Sequence, residues 1–328
     1  MLRGTATLRL RPTEHLSSLT LDLHRLRVGD VTVGGESVRW RRRGDELRIA
    51  PPTALLTGRT YRLTVTYAGR PNTYTDPDGS SEGWFRTDDG SVSVNEPVGA
   101  MTWFPVNNTP RDKATYRVAV TVPRGLTAVS NGDLVREVTV RDRTRWVWRT
   151  RDQLASFLTT VAVGRFETTR GTARDGTRLW SFVDPRFEGD AVARLRPVMA
   201  FLARRFGPYP FTSSGLIIDR ADIGYALEVQ NRPVFTGDPG DGLLVHEIAH
   251  QWYGNSVTAR LVRHLAQRGL RDVRGVDVGR PDRPPVRRRS TSTGSAASPP
   301  SARCGAHPRP TRAARRTSSR TPSTTAAR

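Results

Sequence analysis

The sequence predicts an α+β multidomain protein, in which an N-terminal antiparallel β-sandwich or saddle precedes the start of an α/β domain and a disordered tail. Three observations predict this class. Apolar and polar residues alternate in short segments through the first half. Helical periodicity replaces this alternation from about residue 190, and no aromatic residue occurs after residue 260. We place the three parts at residues 1–185, 186–260 and 261–328.

The β half consists of short alternating segments separated by turn signals such as Asn131-Gly132-Asp133. We predict strands at Thr5–Leu10, Ser18–Leu23, Val31–Val33, Glu46–Ile49, Thr60–Tyr67, Ala114–Val122, Leu134–Val140 and Arg145–Arg149. Because the alternation begins almost at Met1, we expect the chain to start inside a sheet, with an upstream strand or a signal peptide missing from this version.

The segment Ala100–Tyr116 is dense in aromatic, proline and asparagine residues. This density exceeds what a solvated loop needs. Two interpretations are open at this point: the segment is a structural corner between strands, or it forms the wall of a substrate cleft.

The α/β half begins with a helix over Asp190–Phe206, where apolar residues recur at helical spacing. Gly207-Pro208 ends this helix. A short buried strand is predicted at Gly215–Ile218, and the apolar stretch Ile223–Phe235 is also typical of a strand. This second stretch carries a lone carboxylate, Glu228, which is either a surface group or the edge of a cleft.

The stretch Leu243–Thr258 contains the pattern H-E-x-x-H, formed by His246, Glu247 and His250. Residues four apart lie on one face of an α-helix, so both imidazoles can bind one ion. Glu247 lies at the edge of that face, where it can reach a water on the metal. Two neutral nitrogen ligands and a carboxylate base are the arrangement that a zinc hydrolase needs. The alternative is an ordinary buried helix with two histidines. The apolar residues that we expect to bury this helix are Leu243, Leu244, Val245, Ile248 and Ala249.

The formal charge is +21 and the pI is about 11.5, values that are typical of nucleic-acid binders. The distribution of charge argues against this class. Residues 261–328 carry sixteen Arg against three Asp, which is +13 of the total. Lys occurs once, at Lys113, so the Arg excess indicates a GC-rich coding sequence more than a basic binding surface. We therefore expect no specific nucleic-acid partner.

The chain has one cysteine, Cys304, which excludes a disulfide framework or a thiolate metal site within the chain. A metal must therefore use His and carboxylate ligands. No apolar run approaches the ~20 residues of a membrane span, so we expect no transmembrane segment. The N-terminus lacks a secretory signal. We expect a cytoplasmic location for the chain as written, and secretion if an upstream signal peptide is missing.

The residues HEIAHQWYGNSVT resemble the zinc-site helix of the aminopeptidase N family of zinc peptidases, the gluzincins. YALEV at Tyr225–Val229 lies where that family carries its G-A-M-E-N strand, and WFPVNNTPRDKATY is similar to the segment that closes its β domain over the catalytic domain. The resemblance covers roughly residues 1–260. It implies a β-saddle domain followed by the start of a thermolysin-like catalytic domain.

The resemblance also implies roles for individual residues. By it, His246 and His250 bind Zn²⁺, and Glu247 is the general base. Glu228 would bind the free α-amino group of a peptide substrate, and Ala226 would lie where backbone groups pair with that substrate. The implied activity is removal of N-terminal residues from peptides.

The chain departs from the family in three places. Tyr225 and Val229 stand where the family has Gly and Asn. The family's third zinc ligand is a Glu nineteen residues after the second His, and that position is Gly269 here. The family's downstream Tyr, which stabilises the oxyanion, has no counterpart because no Tyr follows Tyr253.

A frameshift accounts for the last two departures. GC-rich codons chosen for residues 261–278 and read one base later encode W-L-N-E-G-F-A-T-Y, which the family has around its third ligand. The alternative is that codon degeneracy alone produces the match. A two-base deletion next to Leu261 fits the spacing, because its repair places a Glu nineteen residues after His250. We interpret residues 261–328 as a disordered frameshift product of the gene or of a sequencing error, and we expect impaired activity.

Three functions compete at this point. The first is a zinc aminopeptidase that acts on peptides with a free N-terminus. The second is a thermolysin-like endopeptidase, which shares H-E-x-x-H but needs neither the β domain nor Glu228. The third is a non-enzymatic protein whose Arg-rich tail binds nucleic acid or anionic surfaces. The sequence predicts no particular oligomeric state.

Overall fold

The computed structural model describes residues 1–77 and 79–257, which contain twenty strands, two α-helices and two short 3-10 turns. The first ten strands are β1 (Leu2–Leu10), β2 (Leu19–Asp22), β3 (Arg27–Val33), β4 (Glu36–Ser37), β5 (Arg39–Arg43), β6 (Glu46–Ala50), β7 (Tyr61–Gly69), β8 (Thr73–Thr75), β9 (Ser81–Arg86) and β10 (Ser91–Val94). The other ten are β11 (Arg117–Pro123), β12 (Thr127–Ser130), β13 (Asp133–Val140), β14 (Arg143–Arg149), β15 (Val161–Gly164), β16 (Glu167–Thr172), β17 (Arg178–Val183), β18 (Ser213–Ser214), β19 (Ile217–Ile218) and β20 (Val234–Phe235). The helices are α1 (Ala191–Phe206) and α2 (Asp241–Ala249), and the 3-10 turns are Gly99–Thr102 and Ser156–Leu158. The tail predicted to be disordered, 261–328, lies outside the described residues.

Two antiparallel sheets form the first sandwich, with strand orders β1-β7-β3-β4 and β2-β6-β5. In β6 buried and exposed residues alternate strictly, with Leu47 and Ile49 buried. These side chains meet Leu63 and Val65 of β7 in one apolar core. Period-two alternation buries one face of each strand, and two such faces exclude water by packing together. The β-rich first half predicted from this alternation is confirmed.

Two further sheets, ordered β12-β15-β10-β9-β8 and β11-β14-β13, enclose a second core. Trp148 of β14 is fully buried there, and its indole N–H donates to the Ala128 carbonyl at 2.8 Å. Its ring lies edge-on to Trp180 and Phe182 of the following sheet. A buried indole needs such a hydrogen-bond acceptor, and this one fixes β14 against β12.

The last sheet mixes strand directions. Strands β16 and β17 are antiparallel, whereas β17 pairs in parallel with β18 and β19, and β19 pairs in parallel with β20. Parallel strands are normally covered by helices, and α1 and α2 pack here through Leu195, Leu202, Leu244 and Ile248. This sheet already begins at Glu167, ahead of the boundary predicted at residue 185, and the domain limits stay predictions.

Helix α1 begins one residue after the predicted start and ends at Phe206, as predicted. Its first turn is tied to the entry of α2 by Arg194. This guanidinium contacts the carboxylates of Asp190, Asp238 and Asp241 at 2.5, 2.6 and 2.8 Å. One guanidinium fork thus joins the N-terminal ends of both helices, and it fixes the start of the helix that carries H-E-x-x-H.

The continuous strand predicted over Ile223–Phe235 is wrong. Only Val234 and Phe235 form a strand, and Leu227 returns to pair with Val234 through two backbone hydrogen bonds of 3.0 and 2.9 Å. Asn231 has φ 74°, a left-handed conformation that reverses the chain. Glu228 therefore lies on a loop between Leu227 and Val234, which we call the Glu228 loop (residues 228–233).

The longer of the two helices in the described part of the chain, α1, spans Ala191–Phe206. None of those helices is both long and apolar enough to span a membrane.

Candidate metal centre

Helix α2 is held in the core by its apolar face. Leu244, Ile248 and Ala249 are completely buried, and Val245 is almost so. Leu243 is 44% exposed, so the prediction that it buries the helix is wrong. The reason is its position in the helix, one residue off the stripe that faces α1 and the sheet. The opposite edge carries the three residues of the H-E-x-x-H pattern.

The two histidines of α2 face each other as their spacing predicts. The Nε2 atoms of His246 and His250 lie 3.2 Å apart, and the rings are nearly perpendicular with centroids 4.7 Å apart. His250 keeps helical dihedral angles as the C-terminal cap, and its N–H donates to the His246 carbonyl. Zinc binds nitrogen at about 2.0–2.1 Å, so a single ion can reach both Nε2 atoms.

The tautomer of His250 follows from the turn after the helix. Its Nδ1 lies 3.1 Å from the Tyr253 carbonyl oxygen. A carbonyl only accepts, so Nδ1 carries the proton and Nε2 keeps its lone pair for a metal. Gly254 has φ 127°, and a Cβ there would lie 3.1 Å from His250 Nδ1. A glycine is thus required to bring the Tyr253 carbonyl onto the imidazole.

Two buried carboxylates flank the imidazoles. Glu247 is 5% exposed, and its Oε2 has no hydrogen-bond partner among the described residues. Burial, and then the charges of Glu228 and Glu96, raises the pKa of the Glu247 carboxyl to about 8. Burial also raises the pKa of Glu228, whose Oε1 lies 3.9 Å from His250 Nδ1. Two carboxylates largely withdrawn from water beside two imidazoles make a site suited to a cation.

The donor set fits zinc. Ligand atoms of Glu228, Glu247 and His250 lie within 4.8 Å of one another, which allows a second grouping that leaves out His246. We favour the imidazole pair, because Glu228 approaches the protonated Nδ1 of His250 and not its free Nε2. Zinc accepts nitrogen ligands readily, and this choice leaves the unpartnered oxygen of Glu247 for a water or a substrate group.

Side chains that follow α2 hold the Glu228 loop. Gln251 donates through Nε2 to the carbonyls of Glu228 and Val229, at 3.2 Å each. Asn255 donates to the same Glu228 carbonyl at 2.6 Å. Both side chains are completely buried. Because buried amides are costly unless hydrogen-bonded, these bonds fix the height of Glu228 above the two imidazoles.

The dense segment Ala100–Tyr116 contacts the end of the metal helix. Lys113 Nζ donates to the carbonyls of Asn255 and Ser256 at 2.8 and 3.3 Å. Burial lowers the pKa of Lys113. The segment therefore contributes a structural junction between the β half and the loop after α2, while its role as a cleft wall stays a prediction.

Replacing Lys113 by Met should lower the free energy of unfolding by about 1 kcal/mol, because two backbone carbonyls lose a charged donor. Urea denaturation checks this value. Arg111→Met is the matched control, since Arg111 is an exposed cation of the same segment. Equal midpoints for the Lys113 variant and the unchanged chain would show that the junction contributes nothing.

The structure brings four of the five predicted site residues together, namely His246, Glu247, His250 and Glu228. The fifth, Ala226, is partly buried against the core beside α2, and its pairing with a substrate backbone stays a prediction. Residue-level reasoning missed the hydrogen bonds of Gln251 and Asn255. Both are polar residues within the six positions that follow the apolar helix α2. The sequence analysis included them in the family motif but assigned them no contacts.

Comparison with known proteins shows what this chain is similar to. Residues 1–158 match the peptidase M1 N-terminal domain. Aminopeptidase N of Haemonchus contortus is 28% identical over 273 residues, covering 71% of this chain and 26% of that protein. Human glutamyl aminopeptidase is 26% identical over 226 residues, covering 60% of this chain and 23% of its own length. The chain thus spans about a quarter of these relatives.

Solved structures of M1 zinc metallopeptidases are also similar to this chain. An M1 zinc metallopeptidase from Deinococcus radiodurans, a point mutant bound to a Tyr-Ser-Ala substrate, superposes with a TM-score of 0.74 and 26% identity. The match covers 84% of this chain and 68% of that one. The share of this chain that is covered is larger than the β half alone.

Proposed function

We propose that this site is that of a zinc-dependent aminopeptidase, which removes N-terminal residues from peptides. The similarity to M1 zinc metallopeptidases supports this lineage. One observation carries the proposal. The Nε2 atoms of His246 and His250 lie 3.2 Å apart beside the buried, unpartnered Oε2 of Glu247. Zinc, when bound, supplies a positive charge that polarises a carbonyl and acidifies a water.

The chain's own residues would divide the remaining work. His246 and His250 hold the ion, with the His250 ring fixed by the Tyr253 carbonyl. Glu247 accepts a proton from the attacking water and passes it to the leaving amine. Burial raises the pKa of this carboxyl in the metal-free chain, and a cation beside it would lower that pKa and favour the carboxylate that takes the proton. Glu228 binds the α-ammonium of the peptide in a charge-assisted hydrogen bond.

We further propose that the chain as written is impaired. No Glu follows Glu247 in the sequence, and Gly269 stands at the third-ligand position. A catalytic zinc site of this class uses three protein ligands. Two ligands and a base remain, so His246 and His250 would hold an ion only loosely, and Glu247 would face a poorly placed water.

The zinc content of the purified chain should be substoichiometric after dialysis, because two imidazoles bind the ion less tightly than three ligands. His246→Ala should remove what remains, whereas His15→Ala, at an exposed site, should change nothing. Elemental analysis measures all three. One tightly held zinc per chain would mean that a third ligand exists.

Glu228→Ala, made in a version with the reading frame restored after Arg260, should lower kcat/KM for free-amine substrates by about 10- to 100-fold. The reason is loss of a charge-assisted hydrogen bond that orients the scissile bond. The exposed Glu188→Ala is the matched control. An unchanged kcat/KM would refute the assignment of Glu228.

Comparing one peptide with a free and with an acetylated N-terminus tests the activity itself. The aminopeptidase proposal expects cleavage of the free form alone, because acetylation removes the charge that Glu228 binds. Equal cleavage of both forms would instead support a thermolysin-like endopeptidase.

A further inference from the structure

The turn between β12 and β13 of the β half is hydrogen-bonded to the Glu228 loop. Asn131 donates through Nδ2 to the Gln230 carbonyl at 2.8 Å, and the Gly132 N–H donates to Asn231 Oδ1 at 2.9 Å. Asn131 is itself fixed, because its Oδ1 accepts from Thr160 N at 2.8 Å. We call the residues Asn131, Gly132, Asn231 and Arg232 the clasp.

Arg232 strengthens the clasp from the other side. It is completely buried, and its NH1 donates to the carbonyls of Ser130 and Gly132 at 3.1 and 2.8 Å. Its guanidinium carbon lies 4.8 Å from the centre of the Trp148 ring. Burial lowers its pKa to about 10, so it stays charged at neutral pH. Burying a guanidinium is costly, but here one nitrogen, NH1, holds two carbonyls at once, and Nε donates to the Trp180 carbonyl at 3.2 Å.

Asn231 connects the clasp to the metal helix. Its Nδ2 donates to the Ser213 carbonyl at 3.1 Å, and its backbone N–H donates to Gln251 Oε1 at 2.9 Å. The same Gln251 side chain donates to the Glu228 carbonyl. Buried hydrogen bonds thus join the β half, the Glu228 loop and the end of α2, and Asn231 contacts both the β half and the residues after α2.

We propose that the clasp is a positioning device for Glu228, and that Asn131, Asn231 and Arg232 are positioning residues. Through them the β half sets the height and orientation of the Glu228 loop over the two imidazoles. The meaning of this device rests on the proposed function, since Glu228 there binds the peptide amine. The hydrogen bonds of the clasp themselves can be tested without metal or substrate.

The test is hydrogen–deuterium exchange of the full chain without metal, read by mass spectrometry of peptides. Asn231→Gly removes both side-chain bonds, and glycine tolerates φ 74° without strain. We expect exchange in residues 227–232 and 251–257 to rise by at least about tenfold, and exchange in strands β1 to β7 to stay unchanged. Asn231→Asp keeps an oxygen for the Gly132 N–H and should restore protection in the peptide that contains Gly132.

The matched control is Thr102→Val, which removes a fully buried hydroxyl that donates to the Gly99 carbonyl at 2.7 Å, away from the clasp. If Asn231→Gly fails to fold, Asn131→Asp tests the same bridge from the β half. Unchanged exchange in residues 227–232, or an equal rise throughout the chain, would overturn the proposal and leave the residues a structural role only. Failure of the chain to bind zinc would count against the proposed function and not against this result.

Discussion

Restoring the reading frame after Arg260 is expected to raise hydrolysis of an alanyl or leucyl chromogenic amide by at least about a hundredfold over the chain as written. Loss of a group that merely supports a zinc ligand costs about 10- to 100-fold, and here a direct ligand is missing. In the frameshift interpretation, the repaired frame would supply a Glu nineteen residues after His250 within W-L-N-E-G-F-A-T-Y. Both versions keep the same His246, Glu247 and His250, so the difference reports on the restored residues.

The control for this experiment is the restored chain with the glutamate of that stretch changed to glutamine. It keeps the added segment and loses only a charged ligand, so its turnover should fall back toward that of the chain as written. Comparable turnover by the written and the restored chains, each supplied with zinc, would overturn the frameshift interpretation.

Glu247→Gln in the restored chain should lower kcat by about 10²- to 10⁴-fold, the range that a general base contributes. Glutamine has nearly the same shape and cannot take a proton. Zinc content should stay the same, because the imidazoles and not this carboxylate hold the ion in our proposal. Elemental analysis and steady-state kinetics on one preparation measure both quantities.

The exposed Glu188→Gln serves as the control for charge loss elsewhere on the surface. Two results would contradict the role of Glu247. A kcat within tenfold of the unchanged enzyme would show that another group takes the proton. Loss of zinc from the variant would show that Glu247 is a ligand.

Local patterns predicted the helices well. The limits of α1 follow from apolar spacing and from the Gly207-Pro208 stop, both of which are contained in the segment itself. The facing imidazoles of His246 and His250 likewise follow from a separation of four residues on a helix. Features that depend on a few neighbouring residues can be read from the chain without knowing the fold.

Strands without a clear local pattern were missed. The segment Arg39–Arg43, RWRRR, forms the edge strand β5 with most of its side chains exposed, so no period-two signal exists. Strand β10, Ser91–Val94, does alternate polar and apolar residues, but over only four positions, and all four are buried. Pairing with neighbours distant in sequence decides such strands.

The error at residues 223–235 has a longer-range cause. The apolar stretch favours a strand, but Asn231 is held in a left-handed conformation by contacts with Gly132 and Gln251. These partners lie 99 and 20 residues away in the chain. A buried amide network of this kind has no local signature, so the sequence could place Glu228 near the helix but not on a clasped loop.

Our interpretation of residues 261–328 concerns a part of the chain outside the described residues. The nucleotide sequence between the codons for Thr258 and Leu270 tests it without any protein. We expect a two-base deletion next to Leu261 relative to the repaired frame. The same deletion in independently sequenced copies of the gene would exclude a sequencing error, whereas copies with the repaired frame would show that the deletion is an error of this one version.

The most direct test of the central claim is anomalous diffraction at the zinc edge from crystals of the chain grown with zinc. Our account predicts one peak within about 2.0–2.1 Å of Nε2 of both His246 and His250, with no carboxylate oxygen of Glu228 at bonding distance. A peak held by Glu228 and Glu247 without His246, or no peak at this site, would contradict it.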